Sequence, residues 1–384
     1  MENIFSKKIE WRLSVLYWLY TIINLLFLIK YGIRQSVISI YILIFIFIIF
    51  HVFIYKWGLK YLSRIAEKPY ALKLLIIFFT LAYIGLSHLM KDPYKLNIDR
   101  WQTIEYVMDY WLKGKYIYDT RNFMGNFPSY LPGQLVMILP FYLIGNVGYI
   151  QVAAFLVFSL AVVRNFQNNT HKFLIILLFG ISLSYIYEVV CKSDLISSFI
   201  IVAAFILYWH RKFKTDYFKN AFVLGLFLGV ICLTRSVVII PLILFLFKPF
   251  VETSLNNKFK SIFGFLISFS ILMATVLLPA KGFDYILKYN PMALQGQTNK
   301  YITLFFIVLT FILSYFYVKN IKQVFFLSAL ITFSVTTAFV FEQISWGYDL
   351  MFLGFSYSAT ALPFCLIGYC LQLESNNFNN NSSE

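Results

Sequence analysis

The sequence predicts an all-α, polytopic integral membrane protein, and three observations carry that prediction. Of 384 residues, 60% are hydrophobic and only 13% are charged, with a mean hydropathy of +0.75. A soluble domain of this length does not carry so much apolar surface. Apolar runs also recur at lengths close to the ~20 residues that a helix needs to cross hydrocarbon.

The first run begins near Trp11. Lys7, Lys8 and Arg12 flank it and no cleavage pattern is present, so it reads as a retained first helix, 11–29, rather than a signal peptide. Further spans are expected at 36–57, 71–90, 148–164, 172–190, 194–209, 261–279, 301–318, 323–341 and 350–371. The runs 220–234 and 236–248 are each too short for ~30 Å of hydrocarbon at about 1.5 Å per residue. They form one long bent helix or two partial helices around Arg235. Segment 132–144, interrupted by Pro132 and Pro140, is expected as a helix lying at the membrane face.

Loop charge sets the orientation. With the N-terminus inside, the inner segments include KWGLKYLSRIAEKPYALK, HRKFK and KNIK, a basic excess. The outer segments hold Asp92, Asp99, Glu105, Asp109, Asp119, Asp194, Asp284, Glu342 and Asp349. This closes a topology of about twelve crossings (10–13) with both ends inside. The whole reads as a single transmembrane domain, 1–372, with an external loop at 91–147. The end of the chain, LESNNFNNNSSE, is expected as a disordered polar cytoplasmic tail, 373–384.

The net charge of +15 is expected to serve cytoplasmic loops and anionic membrane lipids, not nucleic acid. Cys191, Cys232, Cys365 and Cys370 border or lie within apolar runs, without zinc-type spacing. No internal repeat is evident, which weighs against transporter folds built from repeated halves.

One stretch departs from the apolar background. KLNIDRWQTIEYVMDYWLKGKYIYD, residues 95–119, gathers four acids and four bases among Tyr and Trp. Trp101, Ile104, Met108 and Trp111 recur at helical spacing, opposite Asp99, Thr103, Tyr106, Asp109 and Lys113. Asn97 fits an N-cap and Gly114 a stop. Such a helix lies in the membrane interface, and a plain anchor has the same periodicity.

The chain continues from this helix as KGKYIYDTRNFMGNFPSYLPGQLVMILPFYLIG. The pattern Asp-x-x-x-x-x-Glu, then L-x-G-x-Y-I-Y-D, then Y-x-P-G and L-P-x-Y-x-I-G resembles the first external loop of the GT-C superfamily of polytopic glycosyltransferases. A second likeness is GLFLGVICLTRSVVIIPLILFL, residues 225–246, a Gly-x-x-x-Gly helix followed by a basic residue and a short helix. The resemblance covers about 91–250. It implies transfer of a sugar, a hexosyl such as mannosyl, from a polyprenyl-phosphate donor to a glycan or glycolipid acceptor. It also implies an active site on the non-cytoplasmic face, and the abundance of Lys, Asn, Ile and Phe, as from an AT-rich genome, points to a bacterial inner membrane. The family's membrane-proximal Asp matches Asp99, and its Tyr-Pro-Pro element matches Tyr130, Leu131 and Pro132, with Leu replacing the first Pro. Two helices, rather than one, precede the helix that leads into the loop.

The chemistry of such a transfer needs a base, a grip on phosphate and a sugar pocket. Asp99 is the candidate general base; as a first-turn acid it could instead serve the helix dipole. Glu105, Asp109 and Asp119 are alternatives as base or sugar ligand. Arg235, alone in an apolar run, is a candidate phosphate grip, or snorkels to the interface at a helix break. Arg100 is a second clamp or the partner of Asp99. In YEVVCKSDL, Glu188 and Lys192 stand four apart and could pair on one helix face. Functionally, Lys192 would approach phosphate while Glu188 or Asp194 binds sugar hydroxyls. Gln295 and Gln297, in KGFDYILKYNPMALQGQTNK, offer amides to a carbohydrate, or lie in an ordinary connector. Outer carboxylates could hold Mg²⁺ or Mn²⁺, but no DxD pattern occurs and no obligate metal is expected. Two alternatives remain: an O-antigen polymerase or ligase, and a transporter or lipid flippase.

Overall fold

The structure, a computed structural model, describes residues 2–35, 37–96, 98–295, 298–350 and 352–381. Within them the regular structure is entirely helical, so the fold class is all-α. Among the described residues five helices are long and apolar enough to cross a membrane, or up to seven spans if each of two bent pairs counts as one. By length and composition the chain is a multi-pass membrane protein.

In chain order the helices are α1 (Glu2–Gly32), α2 (Ile40–Ala66), α3 (Ala71–Ser87) and α4 (Arg100–Leu112). Next come α5 (Pro132–Leu143), α6 (Tyr149–Asn165), α7 (Asn169–Gly180), α8 (Leu183–Val190) and α9 (Leu195–Lys212). Then come α10 (Ala221–Cys232), α11 (Ile239–Glu252), α12 (Leu255–Leu277), α13 (Phe283–Lys288) and α14 (Pro291–Gln295). The last are α15 (Lys300–Phe316), α16 (Ile321–Ser345) and α17 (Leu362–Asn381). Contacts divide the chain into two compact units: 1–83 with 155–187 and 318–384, and 84–154 with 188–317.

In the first unit α1 packs on α2 and α17, and α16 packs on α17. The run expected as one span at 172–190 is a pair, α7 and α8, bent by 51°. A bend between apolar helices frees backbone carbonyls that lipid cannot solvate. Here side chains of the same unit meet them. The Tyr20 hydroxyl donates to the Leu178 carbonyl and the Tyr83 hydroxyl to the Gly180 carbonyl, each at 2.7 Å. Asn24 Oδ1 accepts from the Ser182 hydroxyl and the Ser184 amide. At the end of the chain α17 runs to Asn381, so helical backbone carries through most of the stretch expected as a disordered tail.

The second unit holds the polar island. Of the two arrangements open around Arg235, the two partial helices are what forms, α10 and α11 separated by a turn. Helices α10 and α12 cross closely because glycine faces backbone on both sides. A Cβ on Gly225 would stand 2.0 Å from the Ser261 carbonyl oxygen, and one on Gly264 would stand 2.3 Å from that of Phe222. Gly133 does the same for α5: its Cβ would lie 2.4 Å from the Val230 carbonyl oxygen. The bare backbone lets the Gln134 amide donate to the Leu233 carbonyl at 3.2 Å, which docks the start of α5 on the end of α10. Proline at the first position of α5 suits this start, where no intrahelical N–H bond is needed.

Helix α4 stops beside Gly114, which takes φ +63, as the sequence predicts. Asn97, expected as its N-cap, lies outside the described residues, and Asp99 occupies that position without a side-chain cap. The apolar face of α4 departs from expectation. Trp101, Ile104, Val107 and Met108 are buried in protein, against Tyr116, Ile117, Tyr118, Leu135 and Ile138. Trp111 is half-buried and its indole N–H reaches the Thr275 hydroxyl at 3.1 Å. The returning chain and α5 cover the face that periodicity alone would lay on lipid.

The α10–α12 crossing is testable. Gly225→Leu is expected to destabilise the protein by about 1–3 kcal/mol through overpacking, read as a lower melting temperature in detergent. Gly85→Ala, whose Cβ would meet nothing within 4 Å, is the control and leaves the melting temperature unchanged or slightly higher.

Candidate functional site

Four ionisable side chains from distant parts of the second unit converge on one phenol. Asp99 and Arg100 start α4, Asp194 precedes α9, and Arg235 stands in the turn between α10 and α11. Tyr130, 5% exposed, lies among them. Its hydroxyl donates to the Arg100 carbonyl at 3.4 Å, and the Arg235 guanidinium lies 5.4 Å from its ring centroid. Burial pushes the Tyr130 phenol well above the usual tyrosine range, with the Asp194 carboxylate adding to the rise. The phenol therefore stays protonated and remains a donor.

Two buried ion pairs flank this tyrosine. Arg235 meets Asp194 Oδ2 at 2.6 Å, with the aspartate side chain fully buried and the arginine 14% exposed. Arg100 meets Glu188 Oε1 at 2.7 Å, again with a fully buried carboxylate, and also donates to the Ser193 hydroxyl at 2.8 Å. Glu188 Oε2 accepts the Ile196 amide. Asp194 Oδ1 is buried with no hydrogen-bond partner among the described residues. Each arginine side chain thus keeps a small exposed fraction beside a fully buried counter-ion.

Several expectations are corrected by these pairs. Arg235 is not isolated, and Arg100 partners Glu188 rather than Asp99. Glu188 and Asp194, expected to bind sugar hydroxyls, are fully buried as counter-ions and present no face to a sugar. Glu188 and Lys192 do not pair, because α8 ends at Val190 and Lys192 takes a left-handed φ of 49°. That turn sends the ammonium 3.6 Å above the centre of the Trp101 ring, a cation–π contact. Burial pulls the Lys192 ammonium below the usual lysine range, opposed by the Glu105 carboxylate. No ion pair among the described residues engages this lysine.

Asp99 is half-buried, and one of its oxygens is heavily engaged. Oδ2 accepts from the side-chain amides of Asn122, at 2.7 Å, and Asn126, at 2.9 Å. Sequence reasoning missed both asparagines, although the spacing in NFMGN is turn chemistry that could have marked them. The remaining candidates serve locally. Glu105 accepts the Trp101 indole N–H at 2.5 Å, and Asp109 pairs with Lys113 on the surface. Asp119 accepts the Tyr285 hydroxyl at 2.6 Å. Gln295 ties two loops, donating to the Ser129 carbonyl and accepting the Ser236 amide. Gln297 lies outside the described residues. Among the described residues no group of three metal-ligating side chains forms.

An apolar cavity of about 240 Å³ lies between α10, α11, α12 and α15, lined by Phe218, Leu228, Ile243, Phe311 and others. Its lining reaches Cys232 and Ile239, the ends of the two helices on either side of the Arg235 turn.

Arg235→Met would leave the Asp194 carboxylate buried without its partner. The expected loss is about 3–5 kcal/mol, measured by unfolding in detergent. The double variant Arg235→Met with Asp194→Leu is expected to recover part of that loss.

No protein family, curated protein or solved structure matches this chain, so the site is characterised by its own geometry.

Proposed function

We propose that the protein is a membrane glycosyltransferase of GT-C type, with about twelve crossings, that uses a polyprenyl-phosphate sugar at the non-cytoplasmic face. The observation that carries the reading is the gathering of one half-buried carboxylate and two buried-pair guanidiniums around Tyr130. A base beside fixed positive charge is what displacement of a sugar phosphate requires.

In this reading an acceptor hydroxyl gives its proton to Asp99 as its oxygen attacks the anomeric carbon. The bond from that carbon to the phosphate oxygen breaks, and its electron pair leaves with the polyprenyl phosphate. Configuration inverts. Arg100, Arg235 and Lys192 stabilise the charge that develops on the leaving phosphate. The buried Glu188 and Asp194 hold the guanidiniums in place, so little reorganisation accompanies the step. The apolar cavity bounded by Cys232 and Ile239, the helix ends that flank the Arg235 turn, suits an isoprenoid tail, and this favours a lipid-linked donor over a soluble one.

Two measurements test the reading, both with purified protein and radiolabelled polyprenyl-phosphate hexoses. Asp99→Asn is expected to lower transfer at least about a hundredfold while the protein still elutes as a folded monodisperse species. Wild-type turnover by that variant would sink the assignment. Lys192→Met is expected to raise the donor KM about tenfold, and Lys192→Arg to restore part of it; an unchanged KM would remove Lys192 from the phosphate site.

A further inference from the structure

The loop 122–126 is built around a single side chain. Asn122 Oδ1 accepts the backbone amides of Met124, at 3.0 Å, and Asn126, at 2.9 Å. The Asn122 amide donates to the Asn126 carbonyl, and the Gly125 amide donates to the Asn122 carbonyl. Gly125 takes φ +84 to close the turn, a conformation that glycine adopts without strain. The closed turn leaves both asparagine side-chain amides on one side, and both donate to the same atom, Asp99 Oδ2.

The other end of Asp99 is fixed as well. Its carbonyl accepts the Thr103 amide at 2.8 Å and the Thr103 hydroxyl at 2.6 Å. That hydroxyl in turn accepts from the Asn122 side-chain amide at 3.0 Å. Backbone and carboxylate of Asp99 are therefore tied to one loop and one turn of helix. With Oδ2 occupied by two donors, the lone pairs of Oδ1 are the ones left for a proton.

We infer that Asn122 and Asn126 are positioning residues that clamp Asp99 Oδ2 and so direct Oδ1, as the proton-accepting atom, toward the acceptor hydroxyl. The inference rests on the reading of Asp99 as general base. It assigns the two asparagines a role that acts only through Asp99, since neither needs to touch substrate. A carboxylate free to rotate about its Cβ–Cγ bond would present either oxygen at varying angles, and misorientation lowers the chemical step without weakening donor binding.

Asn126 gives the cleaner test. It is exposed, and removal of its side chain spares the acceptor atom around which the turn forms, Asn122 Oδ1. In the transfer assay, Asn126→Ala is expected to lower kcat about three- to tenfold with the donor KM and the melting temperature unchanged. The same substitution made on the Asp99→Asn background is expected to cost nothing further. An unchanged kcat, or a loss that persists in full on that background, overturns the clamp while the base assignment stands. Wild-type turnover by Asp99→Asn alone overturns both, because the clamp would then hold a group with no part in the reaction. Should Asn126→Ala fold poorly, Asn126→Asp serves. It places a carboxylate against Oδ2, and a kcat as high as wild type would overturn the clamp equally.

Discussion

Two buried ion pairs are the constraint on which the second unit depends. Arg100 with Glu188 and Arg235 with Asp194 put two complete ion pairs into a chain that is only 13% charged. An unpaired charge in such surroundings is costly, and a buried pair is worth little as net stability unless its geometry is good. Both pairs are short, and both carboxylates are fully buried. Their yield is orientation: they join α4 to α8, and the start of α9 to the turn after α10. Tyr130 then bridges the two pairs through its hydroxyl and its ring face.

The backbone is arranged to make that possible. Gly133 lets α5 press against the end of α10, and the Gln134 side chain continues the contact. Its oxygen accepts the Ser198 hydroxyl at 2.6 Å, and its amide donates to the Asp194 carbonyl at 3.4 Å. The Gln151 amide donates to the Ser193 carbonyl. The short segment 191–194 between α8 and α9 is thus held by side chains from α5 and α6. Such a segment, with buried backbone groups outside any helix, depends on side chains that meet those backbone groups.

How much of this was legible in the sequence depends on the range of each signal. The helical character, the stop of α4 at Gly114, the helix at 132–143 and the break at Arg235 are local matters of periodicity, proline and glycine. The partners of Arg100 and Arg235 are not local: Glu188 lies 88 residues from one and Asp194 lies 41 from the other. Spacing of four suggested a Glu188–Lys192 pair, but that rule holds only while the helix continues. The Trp face of α4 reads as an interfacial anchor because periodicity reports an apolar stripe and not what covers it. The asparagine pair at 122 and 126 was hidden for the opposite reason. Polar loop residues look interchangeable until the turn they form is known.

The bend between α7 and α8 carries a consequence for how the first unit is made. Its open carbonyls are met by Tyr20 of α1 and Tyr83, and its serines by Asn24 of α1. All three partners precede the bend in the chain. They are therefore synthesised before residues 178–184, so the hydrogen-bond partners of the break exist by the time it emerges, as an apolar surrounding requires. The reverse order would leave the bare peptide groups facing lipid. For this bend, unlike the α1–α17 packing that awaits the last helix, the order of synthesis matches the order in which the partners are needed.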